Sequence, residues 1–178
     1  VTGRGYSCSI GDKTDAPQPL TRRSIPMEHA TFERITVAGL KIRTTNTAEM
    51  NPETAAIGKL WQSVGRAIET SGKMPKKVYG IYNNYESDDQ GAYDLLAGTE
   101  PPFPEASDTS IESVSLPGGT YVRFTRSGPP METAMAAWQE VWDFFQQPDA
   151  PKRSYLYDVE VYSGTDTLDL YIGIKGDD

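Results

Sequence analysis

Apolar residues along the chain change spacing segment by segment, and the changes mark out elements. Phe32, Ile35, Val37, Leu40 and Ile42 lie in a β-rich stretch that runs to Thr45 and roughly alternates in polarity around Gly39, which predicts a strand. Ile57, Leu60, Trp61, Val64 and Ile68 then recur at intervals of three and four, the stripe of one helix face. Asn51-Pro52-Glu53 ahead of that stripe offers an N-cap, a first-position proline and a first-turn acid, and Ser71-Gly72 offers a stop. Val78 to Tyr85 has the aromatic and β-branched content of a strand, and Asp88-Asp89-Gln90-Gly91 turns the chain into another, Ala92 to Ala97.

A proline-rich connector from Glu100-Pro101-Pro102 to Asp108 follows, and then the scheme repeats. Ile111 to Thr125 reads as a strand bent or paired at Pro117-Gly118-Gly119. Pro129-Pro130 opens a helix whose Met131, Met135, Trp138, Trp142 and Phe145 share a face, and Pro148 closes it. Tyr155 to Tyr162 and Leu168 to Ile174 are strands joined by a turn that begins at Ser163-Gly164. Each half therefore runs β, α, β, β. Trp61-Gln62-x-Val64 is echoed by Trp138-Gln139-x-Val141, and each tryptophan precedes a strand tyrosine, Tyr85 or Tyr162, by the same 24 residues. The expected fold is α+β: duplicated βαββ modules related by a pseudo-twofold axis, with two main helices and antiparallel sheets that leave a cavity between the halves. The repeats span about 32–99 and about 111–175 within one folded unit, 28–178. Residues 1–27, rich in Gly, Ser, Thr and Pro and without apolar periodicity, read as a flexible N-terminal extension.

Charge narrows the choice of partners. Lys and Arg number 17 against 25 Asp and Glu, a net charge of -8, and residues 1–27 carry four basic groups against two acidic ones, so the folded unit is more acidic than the whole. Such a field repels phosphate backbones, so direct nucleic-acid binding is not expected, and neutral or cationic ligands are favoured. The lone Cys8 rules out an intramolecular disulfide, and no apolar run is long enough to span a membrane, which together suggest a cytoplasmic protein. One histidine, His29, and one cysteine supply neither a hydrolytic triad nor a zinc site, and the glycines match no nucleotide-binding pattern, so no metal, cofactor or catalytic residue is expected.

What remains is aromatic and acidic. Ten Tyr and three Trp fall mostly on the predicted strands and helices. In the strand Tyr155 to Tyr162, alternation sets Asp158 and Glu160 on the same face as Leu156 and Tyr162. If that face looks at water, the two acids are ordinary surface groups. If it looks into the cavity, a carboxylate ringed by aromatics is a cation trap, each ring adding roughly 0.5–2 kcal/mol for a well-placed cation. Trp61, Trp138 and Trp142 read either as helix-to-sheet core or as pocket lining, Tyr79, Tyr82, Tyr85, Tyr121 and Tyr171 as core or cavity wall, and Glu100 as a loop acid or a further polar contact.

Six short stretches in order resemble the GyrI-like effector-binding domain family, the small-molecule-binding part of AraC-type regulators. They are Leu60-Trp61; Val78-Tyr79-Gly80-Ile81-Tyr82-Asn83-Asn84-Tyr85-Glu86 with Gly91-Ala92-Tyr93; Gly98-Thr99-Glu100; Leu116 to Phe124; Trp138-Gln139-Glu140-Val141-Trp142; and Val159-Glu160-Val161-Tyr162. The resemblance covers residues 33 to 175. With no helix-turn-helix in the sequence, the chain is similar to the stand-alone branch, which includes integron-associated effector-binding proteins. The resemblance implies a ligand cavity between the halves and a position, here Glu160, that receives lipophilic cations in several members. A separate expectation is a regulator protein partner that lacks its own sensor and to which the chain presents the state of its cavity. Val159 before Glu160 and Pro101 after Glu100 depart from the family pattern and leave the ligand's identity open. The alternative expectation is a hydrolase of reactive electrophiles, with Glu160 activating a water and Tyr121 or Tyr85 donating to the leaving group.

Overall fold

Eight strands and three helices make up the protein in a computed structural model that describes residues 28–104 and 110–176; the extension expected over residues 1–27 lies outside them. In chain order the elements are β1 (Glu28–Phe32), β2 (Ile35–Thr44), α1 (Asn46–Glu49), α2 (Ile57–Ser71), β3 (Lys77–Asn83) and β4 (Tyr93–Thr99), then β5 (Glu112–Leu116), β6 (Gly119–Ser127), α3 (Pro130–Phe145), β7 (Arg153–Ser163) and β8 (Thr167–Ile174). The fold is α+β. The strands form one antiparallel sheet in the order β1-β6-β8-β7-β3-β4-β2-β5, rather than a separate sheet for each half. The halves join where β3 runs beside β7, from Lys77 opposite Ser163 to Asn83 opposite Tyr157. The order reads alike outward from that seam: β3-β4-β2 on one side, β7-β8-β6 on the other.

The outermost strands are exchanged between the halves. β1 pairs with β6 of the second half, and β5 pairs with β2 of the first. Both ladders keep one register, since Phe32 faces Gly119 and Ile35 faces Leu116, so no residue is gained or lost across Glu33-Arg34 or Pro117-Gly118. The strand expected at Phe32 to Thr45 is thus broken at Glu33-Arg34, the stretch Ile111 to Thr125 divides at Pro117-Gly118 where a bend or pairing was expected, and the pieces build a bent ribbon that ties the ends of the sheet together. Curled in this way, the sheet encloses a second core on the face away from α2 and α3, built from Val37, Tyr79, Ile81, Leu96, Leu116, Val159 and Val161.

α2 and α3 lie on the other face, each over its own half. α2 buries Leu60, Val64, Ala67 and Ile68 and packs on β2 and β4, while α3 packs on β6 and β8. Gly72, left-handed at φ 67°, ends α2 where Ser71-Gly72 predicted it. The start differs. Asn51 makes a local turn, its Oδ1 accepting the Glu53 amide, and Thr45 instead caps the short α1, which the apolar pattern did not predict. α2 begins only at Ile57, where the Glu49 carboxylate accepts the Ala56 and Ile57 amides in place of a cap from α2's own sequence.

α3 also departs from its expected orientation. Its face toward the sheet carries Thr133, Ala137 and Val141, all buried, whereas Met131 and Met135 of the expected apolar stripe are each 71% exposed. Small residues let the helix lie close to β6 and β8, and the bulky stripe is turned sideways, over the seam. Ala137→Leu should therefore cost about 1–3 kcal/mol through overpacking, and Met135→Ala less than about 0.5 kcal/mol. Urea unfolding checks both, and a loss of several kcal/mol at Met135 would make the stripe a core face.

Candidate functional site

Neither helix covers the central strands, and a cavity of about 900 Å³ opens above β3 and β7. α2 gives it one wall with Ile57, Trp61, Val64 and Ile68; α3 gives the opposite one with Met131, Met135, Trp138 and Trp142. The floor holds Val78, Tyr82, Tyr93, Glu160 and Tyr162, and one end is built from α1 and its surroundings, with Asn46, Glu49, Met50 and Asp89. The aromatic rings brace one another: Trp61 sits edge-on to Tyr162 at 5.1 Å, and Tyr82 edge-on to Trp138 at 5.0 Å.

Glu160 stands at the seam, opposite Gly80, and is 2% exposed. Its Oε1 accepts the Trp138 indole N–H at 2.7 Å and the Tyr82 hydroxyl at 2.9 Å, and its Oε2 accepts the Tyr162 hydroxyl at 3.0 Å. All three donors are neutral. No basic side chain among the described residues forms a salt bridge with it. Burial raises the Glu160 pKa above the ordinary carboxylate value, and the three hydrogen bonds only partly oppose that rise. A Cβ added at Gly80 would lie 2.9 Å from Oε2 and 3.0 Å from Trp61 Cζ2, so the absence of a side chain there makes room for both groups.

Asp158, two residues earlier on the same face and fully buried, meets a different environment. Arg153 reaches its Oδ2 at 2.6 Å, the Tyr85 hydroxyl donates to the same oxygen at 2.6 Å, and the Gly173 amide donates to Oδ1 at 3.0 Å. Its charge is balanced within the protein. An irregularity in β7 between Arg153 and Asp158, with Tyr155 at φ 53°, brings Arg153 onto the cavity side. Asn84, at φ 50°, likewise breaks the alternation after β3, so that Tyr85 faces the cavity along with Tyr82.

Of the residues expected to form the site, the structure brings Glu160, Trp61, Tyr82, Tyr85, Trp138 and Trp142 together around the cavity. Tyr79, Tyr121, Tyr171 and Glu100 do not line it. Strand parity explains the correction: on β3 the even-numbered Val78 and Tyr82 face the cavity, so Tyr79 enters the core behind the sheet, where its hydroxyl donates to Glu100. Tyr121 and Tyr171 also turn to the back, against Phe32. Tyr121 is therefore on the wrong side of the sheet, and Tyr85's hydroxyl is committed to Asp158, so neither proposed leaving-group donor is free beside Glu160. The sequence reading missed Tyr93, Tyr162, Arg153 and the exposed Met50, Met131 and Met135. Tyr162 could have been found from its shared face with Glu160. Met131 and Met135 lay in a stripe that periodicity alone assigns to core.

Residues 30–174 match the model of a family described as integron-associated effector binding protein. The chain belongs to that family. It is similar to an integron cassette protein from the mobile metagenome of Vibrio cholerae, VCH_CASS2: 35% identical, TM-score 0.75, with 84% of this chain and 95% of that one covered. It is 28% identical over 148 residues to the YobU protein of Bacillus subtilis (strain 168), covering 78% of this chain and 91% of that protein. SAV2435, solved bound to tetraphenylphosphonium, shares the fold at TM-score 0.61 and 15% identity, covering 85% of this chain and 95% of that one. Among the described residues no helix is long and apolar enough to cross a membrane, and no group of acidic, histidine or cysteine side chains could hold a metal.

Because the folded-state pKa of Glu160 lies above its unfolded value, protonation of Glu160 favours folding. That contribution is complete below the unfolded pKa and is lost as pH rises through the folded one. Trp138→Phe deletes a donor that lowers this pKa, so it should push the Glu160 pKa further up and destabilise the protein more at about pH 8 than at about pH 4. Carboxyl-carbon NMR titration and thermal melts at both pH values measure the two effects.

Proposed function

We propose that the chain binds an amphipathic organic cation in the cavity above the β3–β7 seam, with Glu160 as the charge partner and Trp61, Tyr82, Trp138 and Trp142 as walls. The observation that carries this reading is a buried carboxylate held by three neutral donors with no cationic partner among the described residues. A lone buried charge is costly, and a cation entering the cavity supplies the missing counter-charge at low local dielectric. Apolar and aromatic walls suit the hydrocarbon part of such a ligand, and ring faces attract its charge. The tetraphenylphosphonium held by SAV2435, a fold relative, is a molecule of this class.

The hydrolase reading finds less support. Tyr82 and Tyr162 donate to Glu160 itself, and burial raises both hydroxyl pKa values well above the ordinary phenol range. Those hydroxyls hold the carboxylate in place rather than serve as free acids for a leaving group.

Titration with tetraphenylphosphonium should give saturable binding to wild type, and Glu160→Gln should weaken it tenfold or more, on the order of 2 kcal/mol. Equal affinities would discard the role assigned to Glu160. The affinity should also fall as pH drops through the raised Glu160 pKa, because the protonated acid has no charge to offer. In Glu160→Gln that pH dependence should vanish.

A further inference from the structure

The corner of the cavity at Arg153 holds a second charged group that the cation reading does not use. Arg153 has 6% of its side-chain surface exposed and still contributes to the cavity lining. Its guanidinium lies over the Tyr155 ring, 4.5 Å from ring centre, which fixes the plane in which its donors point. Among the described residues it has one hydrogen-bond acceptor, Asp158 Oδ2 at 2.6 Å, and its buried Nε meets none. A guanidinium has five N–H donors, so most of its capacity is unspent. Asp158 already accepts from Gly173 and Tyr85 as well as from Arg153. The left-handed Tyr155, a costly conformation for a bulky residue, lies within the irregularity that puts Arg153 on this side of the strand.

We propose that Arg153 forms a second subsite, which takes an uncharged hydrogen-bond acceptor of the ligand, such as a ketone, ester or amide carbonyl oxygen, while the ligand's cationic centre rests on Glu160. An uncharged acceptor fits better than an anion because the Arg153–Asp158 pair is neutral as a whole, and an anionic oxygen there would face the Asp158 carboxylate. Asp158 and Glu160 are two residues apart on β7, which sets the acceptor on the order of 7 Å from the cationic centre. The ligand class is thereby narrowed from any lipophilic cation to one with a carbonyl at that separation. This subsite rests on the cation reading above.

The test uses two triphenylphosphonium probes that differ in one group. One carries a methyl ketone at the end of a tether of about four methylenes, the other the isosteric alkene, with C=CH2 in place of C=O. By calorimetric titration, wild type should bind the ketone about tenfold more tightly than the alkene, as expected for a hydrogen bond to a charged donor. The double variant Arg153→Met with Asp158→Asn removes the donor without stranding a buried carboxylate, and in it the two affinities should agree within about twofold. Arg153→Lys, which keeps a partner for Asp158, should narrow the preference to within about threefold. Glu160→Gln should weaken both probes by a similar factor. Equal affinities for wild type overturn the subsite while leaving the cation reading intact, and need no variant to fold. A ketone preference that survives in the double variant also overturns it. If wild type binds neither probe, the cation reading fails and the subsite goes with it.

Discussion

A carboxylate moved from water into a protein interior carries a penalty of several kcal/mol, normally offset by a cation or a metal. Among the described residues no cationic side chain meets Glu160, and the centre of the molecule is arranged around its three neutral donors. Its three donors come from different elements: Tyr82 from β3, Trp138 from α3, and Tyr162 from β7 itself. Both halves of the duplicated fold are therefore tied to a single group at their seam. Asp158, on the same strand and face, shows the other solution, with its own arginine and two further donors. The contrast separates an acid whose charge is spent inside the protein from one whose charge is left over.

The cavity follows from how the two halves share their sheet. Each helix covers the strands of its own module, and joining the modules through β3 and β7 leaves the middle of one face without a helix. Residue size maintains the opening. Ala137 and Val141 draw α3 down onto β6 and β8, while Met131, Met135, Trp138 and Trp142 point across the gap instead of into the sheet. The ribbon formed from β1–β2 and β5–β6 ties the two ends of the sheet, and the core behind it gives the floor a rigid backing. Unbranched methionine side chains, Met50, Met131 and Met135, stand exposed around the cavity.

Much of this architecture was legible in the sequence. Periodicity located both long helices and most strands, and the repeated β, α, β, β order anticipated the seam. What periodicity could not reveal was anything set by a break in it. Strand parity would have separated Tyr82 from Tyr79 had the inward face of β3 been known, but Tyr85 and Arg153 face the cavity only because Asn84 and Tyr155 adopt left-handed conformations. The exchange of β1 and β5 is a long-range pairing, with no local signal beyond the interruptions at Glu33-Arg34 and Pro117-Gly118. The α3 stripe misled for a related reason: a row of large apolar residues at helical spacing looks the same whether it meets a sheet or an open cavity. The small residues on the neighbouring face, Thr133, Ala137 and Val141, were the better guide to which side is buried.

Selectivity in such a site depends on which directional groups remain free. The walls attract by apolar area and ring electrostatics, which constrain a ligand's size and charge but hardly its polar pattern. The hydroxyls of Tyr82 and Tyr162 and the indole N–H of Trp138 are aimed at Glu160, that of Tyr85 at Asp158, and that of Tyr93 at Asn46. These five aromatic donors are thus engaged inside the protein. Against that background a guanidinium with donors to spare carries weight, since a single directional contact in a low-dielectric pocket can separate two cations that the walls would accept equally. On the proposed reading the seam supplies the charge that any cationic ligand would meet, and preference among such ligands would come from the strained corner of β7.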